Sequence, residues 1–167
     1  MYKIFGAIGL IKDSDVFLKK INEFSNINNL KIQVFDANLI FGKNHIVTSI
    51  NHALRSIENN KHTTNSIEME IMLYASGERQ LKLAIPKMGI KKNTKNIAFI
   101  LISDNITNDI IKKLLKFLSL ERCDRVLSIK GKKLEKFGIN KKEIKTVSSV
   151  NYEKLIIEKV ALVDIIK

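Results

Sequence analysis

One cysteine, one proline and no tryptophan in 167 residues mark this chain first by what it does without. A single thiol, Cys123, forms no intramolecular disulfide, so the fold rests on its own core and the expected compartment is a reducing one, the cytoplasm. With Pro86 alone and no Gly/Ser-rich stretch there is no visible linker. No internal repeat stands out, and the length suits one domain. No apolar run approaches the eighteen or so residues of a membrane span. The apolar stretch from Met1 to Ile11 has neither a useful basic leader nor a small-residue cleavage site, and Asp13 and Asp15 follow it at once. A membrane location is not expected.

Familiar chemistry is missing too. There is no Gly-x-x-x-x-Gly-Lys-Ser/Thr and no Gly-x-Gly-x-x-Gly, hence no recognisable phosphate cradle. Gly6-Ala-Ile-Gly9 lacks the paired glycines that let backbone approach pyrophosphate, and reads as a strand exit or a close-packing point. His45 and His52 are seven apart and match no His-Glu-x-x-His pattern. His62 is the only other histidine and Cys123 is remote, so no metal is expected and solvated or partner-contacting histidines are the default. Cys123 or a lysine serves as a nucleophile only if the fold supplies a base. No catalytic residue, cofactor or small-molecule substrate is expected.

What the chain has in excess is positive charge: 29 basic against 17 acidic residues, a net of +12. An anionic partner fits that balance, and nucleic acid is the commonest. Only four of the basic residues are arginine, and a lysine-, asparagine- and isoleucine-rich composition produces the same balance without function. Both readings stay open on charge alone.

Periodicity predicts the elements. Tyr2–Ile8 alternates as a strand. Asp13-Ser14-Asp15 caps a helix to about Phe24, with Val16, Phe17, Ile21 and Phe24 inward. Leu30–Phe35 is a second strand. A helix over about 44–59 buries Ile46, Val47, Ile50, Ala53, Leu54 and Ile57 and turns His45, Ser49, His52 and Arg55 to its polar side. Ser66 caps a helix through Tyr74, with Glu68 and Glu70 early, where the helix dipole favours negative charge. Ser76-Gly77 ends it, and a short helix from Glu78 to Lys87, closed by Gly89, tolerates Pro86. The continuous apolar run Asn96–Ser103 is a buried strand, and Thr107-Asn108-Asp109 caps a helix to about Leu120. Val126–Ile129 reads as a short strand and Asn151–Ile166 as a final helix. Strands interleaved with helices give an α/β fold, a mixed β-sheet flanked by helices.

Two stretches carry a resemblance. The first, Asp36-Ala-Asn-Leu-Ile-Phe-Gly-Lys-Asn-His45, runs into the helix bearing Ala53-Leu-Arg-Ser-Ile57. The second runs from Glu68 to Ile90 and contains Ala75-Ser76, Leu81, Ala84-Ile85 and Met88-Gly89-Ile90. With the strand that follows, they resemble the kinase-regulatory (PRPK-binding protein) subunit of the KEOPS complex, in order over most of residues 1–103 and more loosely beyond. Pro86 and Met88 depart from the pattern, which commonly has an aromatic residue at the latter place. The resemblance implies a small α/β subunit without activity of its own. It would dock on the small KEOPS kinase/ATPase subunit, modulate it, and help engage tRNA for threonylcarbamoyl-adenosine formation. A stand-alone RNA-binding module is the alternative, and it calls for aromatics placed to stack on bases. With no tryptophan, three tyrosines and eight phenylalanines, several of them (Phe17, Phe24, Phe99, Phe117) at core-like positions, that alternative is poorly supplied.

Three surfaces follow as expectations. Arg79, Lys82, Lys91, Lys92 and Lys95 cluster around one short helix and its exit, with Leu81, Ala84, Ile85 and Met88 turned away; they form an RNA-facing patch or a solvated face. The seven lysines between Lys130 and Lys145 add a weaker, non-specific contribution, with Leu134, Phe137, Ile139 and Ile144 as anchors. The final helix is apolar nearly all round, so part of it needs a cover. Ile156 and Val160, one turn apart, are the expected kinase-docking face.

Overall fold

The computed structural model describes residues 1–128 and 134–166. Two compact units share the chain, Met1–Asn38 with Gly89–Leu127, and Leu39–Met88 with the described residues from Ser128 onward. Each is discontinuous in sequence, which is why no linker marks a boundary.

The first unit is an open sheet with helices on one face. Strand β1 (Tyr2–Ile8) leads to helix α1 (Ser14–Ile27) and strand β2 (Lys31–Asp36), and strand β3 (Asn96–Ile102) returns later in the chain. β3 inserts between the first two strands, giving the order β2-β3-β1-β4, where β4 is the two-residue Glu121–Arg122. Every pairing is antiparallel. The α/β class holds, but the mixed strand directions do not. β1 and β2 do run the same way, as a β-α-β unit requires, yet β3 separates them and opposes both.

Period-two alternation puts Phe5 and Ala7, Ile32 and Val34, and Ile97, Phe99 and Leu101 on one sheet face. Phe5 and Phe99 are direct cross-strand partners and their rings stack at 5.0 Å. Phe17, Ile21 and Phe24 of α1 close over this face together with Ile111, Leu114, Leu115 and Leu118 of a second helix, Asn108–Leu118. Both helices start where short polar side chains cap them. Asp13 accepts from the amides of Asp15 and Val16, and Thr107 accepts from Ile110. Val16, expected inside, is exposed, and Phe117 is 38% exposed, its ring tilted against Phe24.

Gly6 belongs to β1 itself. A β-carbon there would collide with the carbonyl of Cys123 and the side chain of Val126. A 3₁₀ turn, Asp124–Leu127, lies against it where an extended strand was expected. Asp124 Oδ1 accepts the Gly6 amide at 2.9 Å and Cys123 donates its amide to the Gly6 carbonyl at 2.8 Å. The close-packing reading of this glycine is the one the structure supports.

The second unit is helical. Numbering the chain's helices in order, α2 is Lys43–Glu58, α3 Ile67–Ser76, α4 Leu81–Met88, α5 the Asn108–Leu118 helix of the first unit, α6 Lys141–Lys145 and α7 Tyr152–Ile166. α7 packs on α2 and α3, and α3 on α4. Ser66 caps α3 as expected, and Gly77, in the left-handed region at φ 68°, ends it. Gly89 adopts no such conformation. Pro86 sits inside α4, where its missing N–H costs one i→i−4 bond, that to the Lys82 carbonyl near the helix start. Leu134, Phe137 and Ile139 are buried anchors and Ile144 is half-buried. The chain there forms a 3₁₀ turn (Leu134–Phe137) and the short α6. Lys130, Lys132 and Lys133 lie outside the described residues.

α7 corrects the docking expectation. Ile156, Val160 and Val163 are fully buried and form its inward stripe at helical spacing. A helix apolar all round does not announce its phase; the neighbours α2 and α3 choose it. Replacing Ile156 and Val160 together with glutamate should therefore unfold the protein rather than free a partner. Removing aliphatic burial and adding two unpaired buried charges is expected to cost on the order of 5 kcal/mol or more. Loss of helical circular dichroism at 25 °C checks this, and a normal melt in the double variant contradicts it.

Candidate functional site

Three groups of hydrogen-bonded polar side chains organise the interior and one end of the second unit. At the start of α2, the imidazole of His45 is buried. Its Nδ1 accepts the amide of Phe41 at 3.2 Å, so the hydrogen sits on Nε2, which donates to the carbonyl of Ala75 at 2.8 Å. The ring also meets Phe137 edge-on at 5.4 Å. Both His45 and Ser49, expected on a polar outer side, are interior. His45 ties the entry of α2 to the end of α3.

Glu70 is likewise no dipole-facing surface residue. It is fully buried. One oxygen accepts the amides of Thr63 and Thr64 at 3.2 Å each and the Thr64 hydroxyl at 2.9 Å; the other accepts the Ser56 hydroxyl at 3.1 Å. A carboxylate can be buried when several donors surround it, and this one holds the 61–66 loop against α2 and α3.

The third place lies at the end of α7. Asp164 Oδ1 accepts the Tyr74 hydroxyl, and Oδ2 accepts from His52 Nδ1 at 2.6 Å. Burial pushes the Asp164 carboxyl up, but the hydrogen bonds from Tyr74 and His52, with the charges of His52 and Arg55, outweigh it and hold it below the ordinary carboxylate range. Tyr74 moves the other way. Burial, then its bond to Asp164, raise the phenol well above its usual range. In the sequence Asp164 is only an interruption in an apolar helix; its partners lie 90 and 112 positions away, so no sequence spacing could have joined them.

The expected basic patch divides between the units. Arg79 and Lys82 belong to the second, Lys91, Lys92 and Lys95 to the first, and all five are exposed or partly exposed. Arg79 and Lys82 border a shallow cavity of about 410 Å³ with Thr63, Thr64 and Gln80. Ala84 and Met88 face inward as expected, but Ile85 is 46% exposed beside Leu83 at 50%. A two-turn helix has room for only a narrow inward stripe, here 84 and 88. Lys87 turns back instead, donating to the Ser76 carbonyl at 2.6 Å and Glu78 at 2.9 Å, with its ammonium over the Phe137 ring. Among the described residues no three histidines, cysteines or acids converge as a metal site, and no helix is long and apolar enough to cross a membrane.

Inside the second unit the polar side chains of His45, Glu70 and Tyr74 are all hydrogen-bonded within the fold, while Arg79, Lys82, Lys91, Lys92 and Lys95 are exposed. The family described as Kinase binding protein CGI-121 matches residues 11–164, and this chain belongs to it. It is 29% identical over 146 residues to "Regulatory protein Cgi121" of Methanocaldococcus jannaschii, covering 87% of this chain and 91% of that one. It is also 29% identical over 83 residues to "EKC/KEOPS complex subunit CGI121" of Coccidioides immitis, 48% of this chain and 40% of that protein.

The Asp164 site makes stability depend on pH in a stated direction. A carboxyl held low in the fold stabilises it above the ordinary carboxylate range, near about pH 4, and that contribution disappears as pH falls through the lowered value. A phenol held high contributes below about pH 10 and ceases to do so as pH rises further. Melting curves across pH 2–11 should show both limbs. Asp164→Asn should flatten the acid limb and Tyr74→Phe the alkaline one; unchanged limbs in both variants contradict the assignment. Glu70→Ala, which strands the Thr63 and Thr64 donors, should cost on the order of 3 kcal/mol by urea unfolding.

Proposed function

We propose that this protein is an accessory subunit of a KEOPS-type complex. It binds and regulates the small kinase/ATPase subunit and helps bring tRNA to threonylcarbamoyl-adenosine formation. The observation that carries this reading is membership of the kinase-binding family over residues 11–164; the name of the Coccidioides relative supplies the complex.

The kinase-facing surface belongs on the outer side of α7. Leu162 is 38% exposed and Ile165 77%, three positions apart and so on one face, while Ile156, Val160 and Val163 hold the interior. Large aliphatics left in water at the end of one helix favour a protein cover. For tRNA the support is the net charge of +12 and the solvent-facing positions of Arg79, Lys82, Lys91, Lys92 and Lys95. Seven of the eight phenylalanines are buried. That leaves few stacking platforms for a stand-alone reader of bases, and favours phosphate binding by a subunit working beside others.

Two variants separate the two roles. Leu162→Glu with Ile165→Glu should abolish co-purification with the kinase subunit while circular dichroism and melting temperature stay as in the parent. Arg79→Glu with Lys91→Glu should leave kinase binding intact and weaken tRNA binding at low salt. It should also flatten the salt dependence by about one unit of log–log slope for each phosphate no longer neutralised. Retained kinase binding in the first variant removes α7 as the docking face. Unchanged tRNA affinity in the second removes Arg79 and Lys91 as tRNA contacts.

A further inference from the structure

The second unit also contains a polar cavity of about 440 Å³, bordered by α2, the loop after it, α3 and the end of α7. Its size lies within the range of small-ligand sites. Four of its lining residues are held by contacts within the fold. Tyr74 and Ser56 are buried. Thr63 is held through its amide by Glu70, and Asp164 is oriented by Tyr74 and His52.

Two cations border this cavity, Arg55 and Lys61, and neither joins an ion pair among the described residues. Both are exposed. Arg55 acts on Asp164 through its charge alone. The Asp164 oxygens each accept one hydrogen bond already, and a carboxylate oxygen has room for a second. Asn59 adds an amide that donates and accepts.

These groups ask for two chemistries in one molecule. A bare anion would meet the cations but be repelled by Asp164. A neutral polyol would satisfy Asp164 and Asn59 but leave both cations unused. We propose that this cavity binds a sugar phosphate monoester, its phosphate on Arg55 and Lys61 and its hydroxyls on Asp164 and Asn59. The guanidinium fork suits phosphate oxygens, and the ammonium adds a movable point charge.

Isothermal titration calorimetry on the whole chain tests this with ribose 5-phosphate, ribose and inorganic phosphate as separate probes. Ribose 5-phosphate should bind saturably with one site, more weakly at high salt. Ribose and phosphate should each bind at least about tenfold more weakly, the equivalent of about 1.4 kcal/mol. Arg55→Gln with Lys61→Gln, both at exposed positions, should weaken ribose 5-phosphate at least about tenfold while circular dichroism and a cooperative melt are retained. Three results overturn the proposal: no saturable binding of ribose 5-phosphate, phosphate binding as tightly as the sugar phosphate, or a double variant that binds like the parent. The measurement involves neither kinase nor tRNA, so its failure leaves the function proposed above standing.

Discussion

A charged or hydrogen-bonding side chain survives inside a protein only when donors and acceptors surround it, and the second unit is organised around that requirement. Glu70 gathers the amides of Thr63 and Thr64 and two hydroxyls. His45 spans from the Phe41 amide to the Ala75 carbonyl. At the surface end of α7, the exposed Asp164 accepts the hydroxyl of buried Tyr74 and the ring N–H of half-buried His52. The bonds from His45 to Ala75 and from Tyr74 and His52 to Asp164 join segments that helix propensity alone would leave unrelated. Together they fix the loop after α2, the ends of α3 and the last turns of α7. Removing one partner from such a site leaves others buried and unpaired, so these residues act as units rather than as separate contributions.

The first unit follows a different rule. Its sheet is ordered by β3, which pairs along seven residues with β1 and six with β2. Putting the most apolar segment in the centre leaves the shorter and more polar β4 at an edge. Gly6 then admits the 3₁₀ turn that Asp124 fastens to β1. The helices need only one apolar stripe each, because a single sheet face receives them both.

Function, on this reading, sits on what the two cores leave outside. Inward-facing Ile156, Val160 and Val163 hold α7 so that Leu162 and Ile165 are presented to solvent. A member of a kinase-binding family can act by presenting such surfaces to a partner. The excess of lysine and arginine gives it a long-range attraction for a polyanion that needs no sequence reading.

Much of the secondary structure was legible from local chemistry. Asp13, Ser66 and Thr107 cap helices as short polar side chains ahead of apolar periodicity should, and the apolar run at 96–102 is a buried strand. These signals are local because their hydrogen bonds close within three or four residues. The family likeness was legible as well, since it rests on the order of such elements. Tertiary structure alone decided the rest. The phase of α7 was invisible because nearly every position was apolar, and α2 and α3 determined which stripe turned inward. His45, Ser49 and Glu70 read as outward because polar residues usually are, yet each is buried, and His45 and Glu70 meet partners contributed by other segments. The antiparallel sheet arose because a strand from late in the chain was inserted between two early ones, and strand order depends on packing across the chain that no local spacing encodes.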